Sequence, residues 1–180
     1  MQFILNLHDR IFTVISNILG PWFLTTAARL TFTSVTLLFF WASGKTKIGD
    51  SIFSPAFGAY AQIFPKKFES LGYDASLMSG FDTLVVLFGT YAEFILPAMI
   101  ALGLFTRLAS VGMIGFIAMM SFVDIYGHNA DAKTIGAMFD RFPYGLIMDQ
   151  RLMWVFLLLV LVIKGGGPIS LDYILAKFRK

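Results

Sequence analysis

Two ionisable side chains, Arg29 and Glu93, lie inside long apolar runs of the sequence. A charge inside a bilayer costs a few kcal/mol on insertion scales, so each is a functional candidate by default. Arg29 falls about seven residues, roughly 10 Å, into a run that begins at Pro21. Glu93 falls about ten residues, roughly 15 Å, into a run that begins near Thr83 and enters from the opposite face. In a hydrocarbon core of about 30 Å those depths differ by only about 5 Å, within the reach of an arginine, so the two are expected to pair. Helical spacing agrees. Thr25, Arg29, Thr33 and Thr36 share one stripe, Asp82, Gly89, Glu93 and Pro97 another, and polar or small faces point into a bundle. Two readings remain open: a polar pocket in which Glu93 exchanges a proton and Arg29 holds an anionic or carbonyl-bearing ligand, or a structural ion pair.

A second group, Ser121, Asp124 and His128, shares one face near the end of a third apolar run. His128 is a candidate proton carrier, or else an ordinary loop histidine. His8 falls on the other side of the membrane, so the two histidines are not expected to share a haem. The segment Trp41-Ala42-Ser43-Gly44-Lys45 puts an aromatic plate, a helix end and a cation together, which suits a flat ring with carbonyl oxygens. Trp22, Trp41 and Trp154 read first as interfacial anchors, and the methionines of the third run as gap fillers. No Walker loop, dinucleotide fingerprint, metalloprotease helix or nucleophilic triad is present in the sequence.

The elements that must position these groups follow from hydropathy. Spanning about 30 Å takes about 20 apolar residues, and four windows qualify, near residues 21–42, 83–104, 108–125 and 143–163. The fourth has an uninterrupted apolar run only from Leu152 to Ile163, so the span is expected to begin near Pro143 and draw Asp149, Gln150 and Arg151 below the surface. Residues 1–20 alternate apolar and polar positions at helical spacing, as an amphipathic helix lying in the interface does. Residues 170–180 read as a second, basic interfacial helix with Ser170 as its cap. The aromatic connection over residues 45–82 is long enough to hold helices or work of its own.

Composition sets the class. Of 180 residues, 57% are hydrophobic and 14% charged, against about 25% charged in a soluble domain, so this is an all-α membrane bundle in a lipid bilayer. Without cysteine the chain builds no disulfide, iron–sulfur cluster or thiolate zinc site, and no haem or other metal is expected. The net charge of +3 is scattered or terminal, which argues against nucleic acid. Six basic residues fall on the side of the termini and seven on the other. The compact basic tail and the short turn at Arg107 favour cytoplasmic termini.

Several segments together resemble the DoxX family. They are the arginine-bearing first span ending in Trp41-Ala42-Ser43-Gly44-Lys45, then Ala92-Glu93-Phe94-Ile95-Leu96-Pro97, Leu102-Gly103-Leu104-Phe105-Thr106-Arg107-Leu108-Ala109, and the closing Gly165-Gly166-Gly167-Pro168-Ile169-Ser170-Leu171-Asp172. The resemblance implies a four-helix protein of the bacterial inner membrane, with relatives described as a subunit of a thiosulfate:quinone oxidoreductase or as anchors in redox-homeostasis assemblies. It marks Arg29, Trp41, Lys45, Glu93, Arg107 and Asp172 as pattern positions.

The expected function is a quinone-associated redox subunit, with the ring held near Arg29, Trp41, Lys45 and Glu93, and with Glu93 or His128 handling protons. A protein partner supplies the electrons. The competing readings are a non-catalytic anchor or assembly factor recruiting a soluble enzyme or metal-handling partner, and a small-molecule transporter or lipid-binding protein. Homo-oligomerisation is compatible with each.

Overall fold

In the computed structural model, which describes residues 1–178, four helices are long and apolar enough to cross a membrane. They are α2 (Phe23–Lys45), α5 (Gly80–Leu102), a third made of α6 (Thr106–Phe122) prolonged by a π-helical turn (Val123–Gly127), and a fourth made of another π-helical turn (Leu146–Arg151) running into α8 (Leu152–Lys164). Each boundary has a local cause. Ser79 and Asp82 form a reciprocal capping box that starts α5 three residues ahead of the expected Thr83. Gly103, at φ +67°, ends it in the left-handed conformation. The π turn at Leu146 lets the fourth span begin before Leu152, so Arg151 is buried and Asp149 half-buried while Gln150 stays exposed.

The helices run up and down around one core. α2 packs on α5 and α8, and α6 on the same two. Phe32, Phe40, Ile100, Met113, Ile117, Leu158 and Leu161 fill the centre and are fully or nearly fully buried. The fold is therefore an all-α four-helix membrane bundle, and the chain is a multi-pass membrane protein.

The two ends of the bundle differ. At the end of the termini, α1 (Gln2–Leu19) buries none of its residues, and α9 (Leu171–Phe178) follows the glycine-rich stop; Arg179 and Lys180, part of the expected basic tail, lie outside the described residues. At the other end, the long connection folds into a hairpin around the Ile48–Pro55 bridge, then α3 (Phe57–Ile63) and α4 (Pro65–Ser70). Tyr60, Phe68 and Met78 pack with Val86 of α5 in a small second core. A loop holding α7 (Ala132–Ile135) joins the third span to the fourth. Asp131 caps α7, and its hydrogen bonds from Thr134 hold the carboxyl below its ordinary pKa.

Candidate functional site

Glu93 is 3% exposed, and its partner is Lys47. Lys47 Nζ lies 3.0 Å from both carboxylate oxygens and 2.7 Å from Ser43 Oγ, which itself donates to Glu93 Oε1 at 3.2 Å. Local structure dictates the match. α2 stops at Lys45, and backbone bonds from Thr46 to Ser43 and from Lys47 to Gly44 curl the chain back over the helix end. That curl turns Lys47 inward, 6% exposed, and leaves Lys45 outside. Gly44 lets α2 approach α5 closely, since a Cβ there would sit 2.6 Å from the Phe94 ring.

The expected pairing of Arg29 with Glu93 is not made. Arg29 lies at the other end of the bundle, where Nη1 donates to the Gly166 carbonyl at 3.2 Å and Nη2 to that of Ile169. A Cβ on Gly103 would fall 2.0 Å from its Nη1. Gly103 is ten residues beyond Glu93, about 15 Å along α5. The depth estimate failed because α2 and α5 do not begin and end at common planes. The first turns of α5 project past the end of α2 and pack on α3 and α4, so the end of α2, and not its first half, stands opposite Glu93.

Arg29 belongs to a lock that closes the bundle. Asp172 accepts the backbone N–H groups of Phe105 and Thr106 at 2.6 and 2.8 Å and the Thr106 hydroxyl at 2.6 Å. A carboxylate there caps α6 and complements its dipole. Arg107 donates to the Ile163 carbonyl near the end of α8 at 3.2 Å. Thr106 Oγ1 and Thr25 Oγ1 occupy the space a Cβ would need at Gly166 and Gly167. These sequence-pattern positions therefore join four chain segments through a structural network.

A second charged pair stands nearer the loops. Arg151 donates through Nη2 to Asp124 and through Nη1 to Ser121 Oγ at 2.9 Å. Both charged residues ride on the two π-helical turns, which are elements frequently found at functional sites. His128 Nε2 lies 3.0 Å from the Gln62 carbonyl oxygen, tying α3 to the end of the third span.

The two pairs line one cavity of about 600 Å³, within the range of small-ligand sites. Its wall is largely apolar, from Phe39, Val85, Leu96, Phe116, Met120 and Val123, with polar groups at Ser43, Lys47, Glu93, Asp124, His128 and Arg151. Phe88 and Met119, both largely exposed, also line it and place part of the wall at the lipid-facing surface. Of the four expected pocket residues only Glu93 is on this wall, and Arg29, Trp41 and Lys45 are not; His128, expected to handle protons, also lines it. Trp41 instead donates through Nε1 to the Phe94 carbonyl at 3.1 Å, bracing α2 on α5. Sequence reasoning missed Lys47, which reads as the start of a loop, and left Arg151 as a question of immersion. The signal for both was a cation within a few residues of a span end, with an unpaired acid elsewhere in the bundle.

The family model described as DoxX matches residues 24–124, more than half of the chain. The match takes in α2 to the first residues of the π turn after α6, and so includes Lys47, Glu93 and Asp124. Arg151 and the closing glycine-rich segment lie outside it. No curated protein and no solved structure matches the chain.

Proposed function

We propose that this chain, which belongs to the DoxX family, is a membrane subunit that binds a neutral, oxygen-bearing ring of the quinone class in the cavity between its two buried ion pairs. The observation that carries the reading is an apolar cavity of ring-ligand size whose charges are already matched, Lys47 by Glu93 and Arg151 by Asp124. An ionic ligand would leave one charge in excess in a desolvated site, whereas a neutral ring with carbonyl oxygens needs only donors. Phe88 and Met119 offer a lateral route for a lipid-borne molecule with an apolar tail.

A bound quinone supplies two-electron, two-proton redox chemistry. Lys47 and Ser43 orient the Glu93 carboxylate, and Glu93 holds or releases a proton at the deep end of the cavity. His128, exposed on the loop side, exchanges protons with the aqueous phase. Electrons come from a protein partner, which makes the chain a non-autonomous subunit of a redox assembly. We place it in a bacterial inner membrane with cytoplasmic termini, on the family resemblance and the basic tail.

One observation favours an anchor for a soluble protein as the second reading. Apolar side chains stand exposed on the loop end, Ile52 and Phe53 on the hairpin and Met138 and Phe139 beside α7. Purification in native nanodiscs with mass spectrometry of what accompanies the chain separates the readings. A stoichiometric quinone, lost in Glu93→Gln, supports the first; a soluble protein without a quinone, lost when Phe53 and Phe139 become serine, supports the second.

A further inference from the structure

None of the residues of α1 is buried, yet its two faces are sharply divided. At about 100° per residue, its apolar side chains sweep about 200° of the helix, from Phe3 through Leu7, Ile11 and Ile4 to Leu5. One polar side chain enters that arc, His8, whose ring packs on Phe12 at 4.5 Å between centroids. The opposite arc holds Gln2, Asn6, Thr13, Ser16 and Asn17 with only two charges, Asp9 and Arg10, which cancel. A helix packed on one protein surface needs an apolar stripe of about 100°, whereas an arc twice as wide suits a helix half sunk among headgroups and acyl chains.

The junction with α2 sets the level at which α1 can lie. Only residues 20–22 separate the two helices, a path of at most about 14 Å. Trp22 belongs to both: its indole Nε1 donates to the Ile18 carbonyl at 3.0 Å, while its own carbonyl accepts the Thr26 N–H at 3.2 Å. An exposed tryptophan at the end of a span lies at headgroup level, so the last turn of α1 is held there as well. Trp22 also leaves the helical region, at φ −134°, directly after Pro21, and this break lets α1 turn from the α2 axis into the membrane plane.

We propose that α1 senses lipid packing: it inserts its apolar arc into the leaflet beside its own bundle, by apolar contact alone, and prefers a loosely packed surface. Interfacial helices that read anionic lipid carry lysine and arginine on the polar face, and α1 has one arginine beside one aspartate. Without an electrostatic contribution its affinity follows the apolar area that fits between headgroups, which lipid packing controls. What the cavity binds has no bearing on this face.

The chain has no cysteine, so a spin label can be placed at one position of the full protein. Ile11→Cys and Thr13→Cys put it on opposite faces of α1, and because α1 buries nothing neither substitution bears on the folding of the bundle. Each labelled protein is reconstituted at one chain per nanodisc in dioleoyl phosphatidylcholine, in the same lipid with about one-third phosphatidylglycerol, and in a saturated phosphatidylcholine kept fluid. Collision with oxygen reports hydrocarbon, and collision with a soluble nickel chelate reports water. We expect the oxygen-to-nickel ratio at residue 11 to exceed that at residue 13 by at least about fivefold in the dioleoyl lipid. That contrast should change less than about twofold with the anionic lipid and fall at least about threefold in the saturated one. Equal ratios at the two positions in every disc would overturn the proposal. So would a contrast that appears only with phosphatidylglycerol, which assigns α1 to anionic headgroups, or one indifferent to chain saturation. A contrast absent at one chain per disc and restored at two would give the apolar face to a second copy of this chain, and would overturn it likewise.

Discussion

Lys47 Nζ sits 3.0 Å from each carboxylate oxygen of Glu93, with both side chains almost wholly removed from solvent. The pair joins the end of α2 to the middle of α5 across a sequence separation that no helical periodicity links. Breaking a buried pair by deleting one partner strands the other charge, whereas replacing both removes the desolvation cost as well as the attraction. Lys47→Met and Glu93→Leu are therefore each expected to lower stability by about 3–5 kcal/mol, and the double variant by clearly less than their sum. Unfolding in detergent, followed by circular dichroism, measures this. Additive losses would show that the two side chains do not act on each other.

Filling the cavity is expected to abolish ligand binding without unfolding the bundle. Gly89 lies on the cavity wall, and a Cβ there would meet only Ile63 Cδ1 at 3.7 Å. Gly89→Ala adds helix propensity of about 1 kcal/mol and is expected to be tolerated, while Gly89→Phe occupies the space. Quinone titration of both variants checks the contrast; undiminished binding in Gly89→Phe would place the ligand elsewhere.

The lock at the other end is expected to control stability and leave ligand affinity alone. Gly103→Ala meets Arg29 Nη1 and backbone of Ser170 in a left-handed conformation that already costs an L-residue about 1–2 kcal/mol. Asp172→Asn weakens three hydrogen bonds at the start of α6 and is expected to cost about 1–2 kcal/mol. Both variants should melt earlier yet bind quinone with unchanged Kd once folded. A selective loss of affinity in Asp172→Asn would bring that end of the bundle into the site.

The four spans were legible because hydropathy and the span lengths point one way, although α2 continues through Ser43 and Gly44 to Lys45, three residues beyond the expected end. What stood opposite Glu93 was not. Placing Arg29 at the depth of Glu93 assumed helices sharing common end planes, and the projection of α5 beyond α2 is a tertiary fact set by the packing of Tyr60 and Phe68 on Val86. Lys47 follows a helix stop and reads as loop, although the backward curl makes it the most buried lysine of the bundle's interior wall. Arg151 breaks an apolar run in the sequence, and only the π turn shows that the break is wound into the span. The glycine-rich motif and Asp172 were visible as a pattern, but their hydrogen bonds are those of a clasp and not of a reacting centre.

Acid is expected to act first on the loops. Asp131 is held below its ordinary pKa by hydrogen bonds from Thr134, and Asp74 is lowered in the same way by those from Ser76. A depressed folded-state pKa gives stabilisation that is complete above the unfolded value, about 3.9, and disappears as pH falls through the folded one. Both turns are thus expected to be fully capped at neutral pH and to loosen only below about pH 4. Titration of the 13C carboxyl signals measures it; a midpoint for Asp131 at or above that of a free aspartate would contradict the cap.

The most direct test of the central claim is to extract the protein into native nanodiscs and quantify bound quinone by mass spectrometry in the wild type, Gly89→Phe and Gly103→Ala. Near-stoichiometric quinone is expected in the wild type, none in the cavity-filling variant, and retention in the folded fraction of the lock variant. Equal quinone in wild type and Gly89→Phe, or none in the wild type, would contradict it.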